Sequence, residues 1–186
     1  MKRNGGFSLV ELMVAMVIGL VIILGAGRLF LTVFQTNRQV ETLSEKQAAV
    51  NFSVEILLRD IRRADPASIN WNGEMLTLIV PNRGDLVSCP GSGDVHKAYR
   101  ISSTEVGPKL GRALEMGQRC GDSVQAGDFD QVVAGFEDND VAFIIDDNLR
   151  DRGVLVVKLS LISTADGAPD SVEFHAVNRT AAVTNE

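Results

Sequence analysis

The chain has 186 residues, of which 45% are hydrophobic, and its formal net charge is −6. Much of the apolar content lies near the N-terminus, so the length accommodates one domain with a modest core and an apolar stalk. From residue 65 onward there are 19 acidic and 10 basic side chains, a net charge of −9. This balance argues against nonspecific nucleic-acid binding, because phosphate contacts need a basic surface.

The N-terminus combines a short basic segment with a long apolar run. Two cations and a glycine pair, within residues 2–6, precede an apolar run over residues 7–27 that Arg28 closes. Its only charge is Glu11. The run is about long enough to span a bilayer, and the cations lie on the side that the positive-inside tendency assigns to the cytoplasm. An ordinary secretory signal has its small-residue cleavage site after the apolar core, whereas here the small residues come first.

The segment at residues 6–11, Gly-Phe-Ser-Leu-Val-Glu, resembles the class III signal of type IV pilins and the related pseudopilins. The resemblance implies that a prepilin peptidase cuts after Gly6 and methylates the new N-terminal residue, Phe7. It also implies that Glu11 occupies the acidic position that the family keeps beyond the cleaved end. The apolar core would then stay on the mature chain.

Glu11 has a physical interpretation of its own. A carboxylate inside a membrane segment is costly and normally marks function, so it needs a partner. Cleavage at Gly6 would create a free amine at Phe7, one helical turn away, on the same chain or on a packed neighbour. The alternative is a plain signal anchor with a glutamate near the interface.

The chain is predicted to continue as a helix through residue 64. No proline occurs from residue 7 to residue 65, and Pro66 biases Asp65 away from helical geometry. Side chains at spacings of three and four predict one apolar seam with two polar interruptions. The predicted seam consists of Val33, Thr36, Val40, Leu43, Gln47, Val50, Val54, Leu57, Ile61 and Ala64. Predicted to be solvated are Gln39, Glu41, Glu45, Lys46, Glu55, Arg59, Arg62 and Arg63.

Downstream, the sequence period changes to that of strands. Alternating or continuous apolar runs predict strands at residues 74–80, 98–101, 141–145, 154–162 and 172–177. Asn-Gly, Arg-Gly and Asp-Gly pairs at residues 72–73, 152–153 and 166–167 predict turns. Residues 104–135 are glycine-rich with little periodicity, so irregular loops are expected there.

These elements predict an α+β fold, in which a long N-terminal helix packs on a C-terminal antiparallel β-sheet domain. The helix has a membrane half and an amphipathic half, and the pilin resemblance implies the same architecture. The amphipathic half could instead form a homomeric coiled coil, but packing on the chain's own sheet is favoured. The predicted parts are a cleaved leader (1–6), a transmembrane and polymerisation helix (7–30), an amphipathic helix (31–64) and a periplasmic β-rich domain (65–186).

Cys89 and Cys120 are the two cysteines of the chain. In an exported domain such a pair predicts one disulfide, which would close a loop of about thirty residues. Unrelated thiols and half of a metal site are the alternatives. With His96 and His175 as the two imidazoles and no CxxC spacing, a zinc site is disfavoured.

The sequence contains no motif of catalysis and predicts no enzyme and no cofactor. An acidic cluster with Asp128, Asp130, Asp138 and Asp140 could ligate calcium through oxygen atoms, although it lacks EF-hand spacing. Solvated turns explain these acids more simply.

Within the pilin family, residues 6–64 resemble PilW-type minor pilins, chiefly through Leu-Leu-Arg-Asp-Ile-Arg-Arg-Ala at residues 57–64. This implies a low-abundance subunit that promotes pilus assembly. Its partners would be the prepilin peptidase, other major and minor pilins, and the inner-membrane assembly platform. It would be inserted once in the bacterial inner membrane, with its domain in the periplasm, and then enter the pilus. J-type pseudopilins of type II secretion have a similar helix end, and a tip-located binding module is a further alternative.

Overall fold

The computed structural model describes residues 8–84, 86, 89, 93–107, 111–137, 143–146, 148, 153–163 and 170–178. The chain divides into two units, Met1–Ser44 and Glu45–Glu186. A single helix, α1, covers Leu9–Arg63 and therefore contributes to both units. Its first turn holds Glu11 and its last turn holds Arg62 and Arg63, charges that complement the helix dipole at each end.

The first unit consists of the N-terminal part of α1. None of its described residues, from Ser8 to Ser44, is buried. Proline, which would break a helix, is absent from this part of the chain.

The second unit joins the C-terminal part of α1 to an eight-stranded antiparallel sheet. The strands are β1 (Asn70–Trp71), β2 (Met75–Pro81), β3 (Asp94–Ile101), β4 (Arg112–Cys120), β5 (Phe129–Phe136), β6 (Phe143–Asp146), β7 (Val154–Leu161) and β8 (Asp170–Val177). Strands β1 to β5 form a meander of neighbouring antiparallel pairs. Phe136 of β5 then pairs with Leu161 of β7, and β7 pairs with both β6 and β8.

The core lies between α1 and one face of this sheet. Its helix residues include Ile56, Leu57 and Ile61, and its sheet residues include Leu76, Leu78, Val80, Tyr99, Leu114, Phe136, Val157 and Leu159. The α+β prediction, with a long N-terminal helix packed on an antiparallel sheet, is confirmed.

The predicted helix seam is partly wrong. The buried positions of α1 are Ala49, Ser53, Ile56, Leu57, Asp60 and Ile61. The first half of the predicted seam, including Val40 and Leu43, is exposed. The sheet covers the helix from about Ala49 onward, where a small side chain permits close approach: a Cβ built on Gly135 would lie 3.8 Å from the Ala49 Cβ.

The prediction of irregular loops over residues 104–135 is also wrong, because β4 and β5 occupy about half of this region. Strand β4 is paired with β3 on one side and with β5 on the other. Its backbone is therefore held in the sheet by neighbouring strands, although its own sequence lacks the alternation typical of a strand. Its glycine has a packing role: a Cβ on Gly117 would lie 2.3 Å from Val124 Cγ1. The loop before β5 therefore packs closely against β4 only because this position lacks a side chain.

Candidate functional site

The exposed part of α1 presents apolar side chains on all sides. Between Leu9 and Phe34 the large hydrophobic residues are about half to three-quarters exposed, from 47% for Phe34 to 74% for Leu9. Among the described residues, α1 is the one helix long and apolar enough to cross a membrane, and none of that apolar stretch is buried. An apolar surface of this extent requires lipid or other helices to cover it.

Glu11 lies in the first turn of α1 and is exposed. The helix begins just before it, with the Leu12 amide donating to the Ser8 carbonyl at 3.2 Å. A carboxylate in this turn is favoured by the unpaired amides of the helix N-terminus. Gly6 and Phe7 lie outside the described residues, so the cleavage, the methylation and the pairing of Glu11 with the Phe7 amine remain predictions.

A buried charged cluster fixes the other end of α1 on the sheet. The Asp60 side chain is fully buried, and its Oδ2 accepts hydrogen bonds from Lys97 Nζ at 2.7 Å and from the Tyr99 hydroxyl at 2.5 Å. Its Oδ1 lies 3.3 Å from the Nε atoms of both Arg59 and Arg63. We call Asp60, Lys97, Tyr99, Arg59 and Arg63 the Asp60 cluster.

The electrostatics of the Asp60 cluster follow from burial and pairing. Burial by itself would raise the pKa of the Asp60 carboxyl, but hydrogen bonds from Lys97 and Tyr99 outweigh it. The charges of Lys97 and Arg63 act in the same direction, so the pKa of Asp60 falls below its ordinary value. Burial and the adjacent Asp60 carboxylate raise the pKa of Tyr99 well above its ordinary value. The aspartate is therefore charged and the tyrosine neutral near pH 7.

Two further contacts attach α1 to the C-terminal strand. Asn178, directly after β8, donates from its amide nitrogen to the carbonyls of Ile61 and Ala64, both at 2.8 Å. The Ile61 carbonyl belongs to the last turn of α1, where carbonyls have no intrahelical partner, and Ala64 directly follows the helix. Lys46 Nζ also pairs with Asp170 Oδ2 at the start of β8, at 2.9 Å.

Cys89 and Cys120 form a disulfide with a sequence separation of 31 residues. Cys120 is the last residue of β4, and Cys89 lies in the connection between β2 and β3. Its amide donates to the Leu86 carbonyl, and its carbonyl accepts from Asn82 Nδ2. The bridge therefore ties this connection to the end of the strand beside it.

The acidic cluster offered for calcium is only partly described. Asp128 Oδ2 accepts from the Gln125 amide at 2.8 Å and lies 3.5 Å from Arg119 Nη1, so this carboxylate has local partners. Asp130 is an exposed residue of β5. Asp138 and Asp140 lie outside the described residues. Within the part of the chain that the structure describes, no group of three or more His, Cys, Asp or Glu side chains could hold a metal ion.

The sequence interpretation missed the Asp60 cluster. Arg59 is exposed as expected, but Arg63 and Lys46 were predicted to be solvated and their side chains are only 15% and 13% exposed. A signal was available, since Asp60 falls one turn after Leu57 on the buried side of the helix, and Lys97 directly precedes a predicted strand. That these two residues meet depends on the register of the helix on the sheet.

Residues 1–27 match the family model described as the prokaryotic N-terminal methylation motif. No curated protein and no solved structure gives a significant match. The matched motif, the exposed apolar helix and the α+β fold together support a type IV pilin-like protein. The motif points to a structural subunit of the pilin and pseudopilin class rather than to an enzyme.

Proposed function

We propose that this protein is a minor type IV pilin of the PilW type that helps to initiate or promote pilus assembly. The observation that carries the proposal is the methylation motif at residues 1–27, which overlaps the start of an unburied apolar helix, Leu9–Arg63. The similarity of residues 57–64 to PilW-type pilins supports the finer assignment. Residues 1–6 act as a leader, 7–30 as the membrane and polymerisation helix, 31–64 as its amphipathic continuation, and 65–186 as the periplasmic domain.

In this mechanism the protein waits in the inner membrane and is processed by the prepilin peptidase between Gly6 and Phe7. It enters the fibre when its apolar helix exchanges lipid for the helices of neighbouring pilins on the assembly platform. Glu11 sets the axial position, because a carboxylate in an apolar bundle is stabilised only where a cation meets it. The Phe7 amine of a neighbour supplies that cation.

Deletion of the gene, with surface pili and type II exoprotein release scored in parallel, tests the assignment. Loss of pili with normal secretion is expected. Lost secretion with normal pili would assign the protein to the J-type pseudopilins. No change in either would leave redundancy with another subunit or a tip-located binding module as the remaining explanations.

Complementation tests the role of Glu11. Glu11→Ala should restore far fewer pili than the parent gene, whereas Glu41→Ala, which removes an exposed acid from the same helix, should restore them fully. Mass spectrometry of the mature N-terminus should find Phe7 as the first residue, carrying one methyl group. Assembly that is equally good with Glu11→Ala would disprove the register mechanism.

A further inference from the structure

The segment of α1 that follows the apolar run differs from it in side-chain chemistry. Phe30 and Phe34 stack, with ring centroids 6.4 Å apart and planes inclined by 10°. The Arg38 guanidinium carbon lies 4.4 Å from the centre of the Phe34 ring. These residues follow one another at intervals of one turn, and we call them the aromatic–arginine stripe.

The stripe begins where a membrane span would end. A hydrocarbon core of ~30 Å needs about twenty helical residues, and the proposed span of residues 7–30 ends at Phe30, the first residue of the stripe. Aromatic rings and arginines are the side chains enriched at the boundary between lipid tails and water. A guanidinium at the end of a long stem can reach the headgroups while its methylenes remain in apolar surroundings.

The charges of this segment are of one sign. Arg28 and Arg38 are the charged residues between positions 28 and 38, so the segment carries +2, whereas residues 65–186 carry −9. A positive segment beside an apolar span favours anionic phosphate groups near the surface.

Two threonines of the segment bond their hydroxyl groups within the helix. The Thr32 hydroxyl donates to the Arg28 carbonyl at 3.0 Å, and the Thr36 hydroxyl donates to the Thr32 carbonyl at 2.9 Å. Both hydroxyl protons are thereby satisfied within the helix, which lowers the cost of contact with lipid.

The exposed apolar residues surround the helix instead of forming one stripe. Leu29, Phe30, Leu31, Val33 and Phe34 are all exposed, and at 100° per residue they point in different directions. A single partner helix would cover one face, whereas lipid covers all of them.

We propose that Arg28 and the aromatic–arginine stripe form an interfacial anchor that binds anionic phospholipid headgroups at the periplasmic surface of the inner membrane. This inference rests on the proposed membrane insertion of residues 7–30. It adds a ligand class, the phosphodiester headgroup, and names the residues that bind it. Before assembly the anchor holds α1 at a defined depth in the bilayer.

Tryptophan substitutions in the full chain, reconstituted in vesicles with brominated phospholipids, test the anchor. Each variant retains Trp71, whose emission is measured in the parent chain and subtracted. Leu20→Trp should be quenched best by bromines deep in the acyl chains, and Phe34→Trp by bromines next to the headgroups. Phe52→Trp, at a half-exposed position of the second unit, should be quenched by neither.

Headgroup preference is measured with the Phe34→Trp chain in mixed phosphatidylglycerol and phosphatidylcholine vesicles. The quenching should be greater when the bromines are on phosphatidylglycerol, reflecting roughly fivefold local enrichment per arginine. The double substitution Arg28→Gln and Arg38→Gln should abolish this difference, and the exposed Arg62→Gln control should preserve it.

The outcomes separate the anchor from the membrane span on which it rests. Deep quenching of Leu20→Trp without quenching of Phe34→Trp would overturn the anchor and leave the span intact, as would equal quenching by the two lipids. Absence of quenching at position 20 would overturn the proposed insertion itself. If position 34 is protected from quenching only at a high protein-to-lipid ratio, a second copy of the chain covers the stripe. That result would also overturn the lipid proposal.

Discussion

At the scale of single residues, the most consequential side chain of the second unit is Asp60. Its carboxylate is buried, accepts two hydrogen bonds from β3 and lies beside two arginines of its own helix. A buried ion pair contributes little net free energy compared with apolar packing, but breaking it leaves a charge without compensation. The Asp60 cluster therefore specifies how α1 is rotated and positioned on the sheet.

Replacement of Asp60 by Asn should lower the free energy of unfolding by about 3–5 kcal/mol, because the buried Lys97 ammonium loses its counterion. Arg59→Gln, which removes a partner whose side chain is 57% exposed, should cost less than about 1 kcal/mol. Urea unfolding of fragment 31–186 measures both. Equal losses from the two substitutions would contradict the importance assigned to burial.

The pKa shifts predict how stability depends on pH. The folded-state pKa of Asp60 is lowered, so the cluster stabilises the fold above the unfolded-state value of about 3.9 and loses that contribution as pH falls through the folded-state pKa. The folded-state pKa of Tyr99 is raised, so its contribution is complete below about pH 10 and is lost above it. Unfolding curves recorded at a series of alkaline pH values should show a smaller loss of stability for Tyr99→Phe than for the parent protein. The same loss in both proteins would contradict this assignment.

At the scale of elements, the disulfide and Asn178 attach the β2–β3 connection and the C-terminus of α1 to distant parts of the chain. The bridge holds the connection between β2 and β3 against the end of β4. Asn178 closes the C-terminus of α1 with two hydrogen bonds from a residue more than a hundred positions away in sequence. Both connect parts of the chain that meet only after folding.

Substitution of both cysteines by serine should reduce the free energy of unfolding by about 3–4 kcal/mol. The reason is that the unfolded chain is no longer restricted by a disulfide between residues 31 positions apart. The parent protein treated with a reductant should show the same loss, and the double variant should not respond to reductant. A loss on substitution without a loss on reduction would assign the effect to packing of the sulfur atoms.

At the scale of the whole molecule, stability belongs to the second unit and exposed apolar surface to the first. The first buried residue along the described chain is Ala49, which comes shortly after the boundary at Ser44. The two parts of α1 thus meet different requirements within one helix. One part is suited to a membrane or a fibre, and the other part belongs to the core.

Shortening the chain tests this division. Fragments 31–186 and 45–186 should unfold with free energies within about 0.5 kcal/mol of each other, because residues 31–44 bury no side chain. Fragment 55–186 lacks the buried Ala49 and Ser53 and should be less stable by at least about 1 kcal/mol. Urea denaturation, extrapolated to zero denaturant, gives the free energy of unfolding of all three fragments. A large difference between the first two would refute the division.

The sequence by itself determined the class III signal, the long helix, the strand-rich domain and the cysteine pair. These depend on local features: an ordered set of residues, the absence of proline, and alternation along a strand. Only the tertiary structure decided which helix face is buried, that residues 104–135 supply two strands, and that Asp60, Lys97 and Tyr99 meet. Those outcomes depend on the register of the helix on the sheet and on pairing between distant strands, and a local pattern cannot encode either.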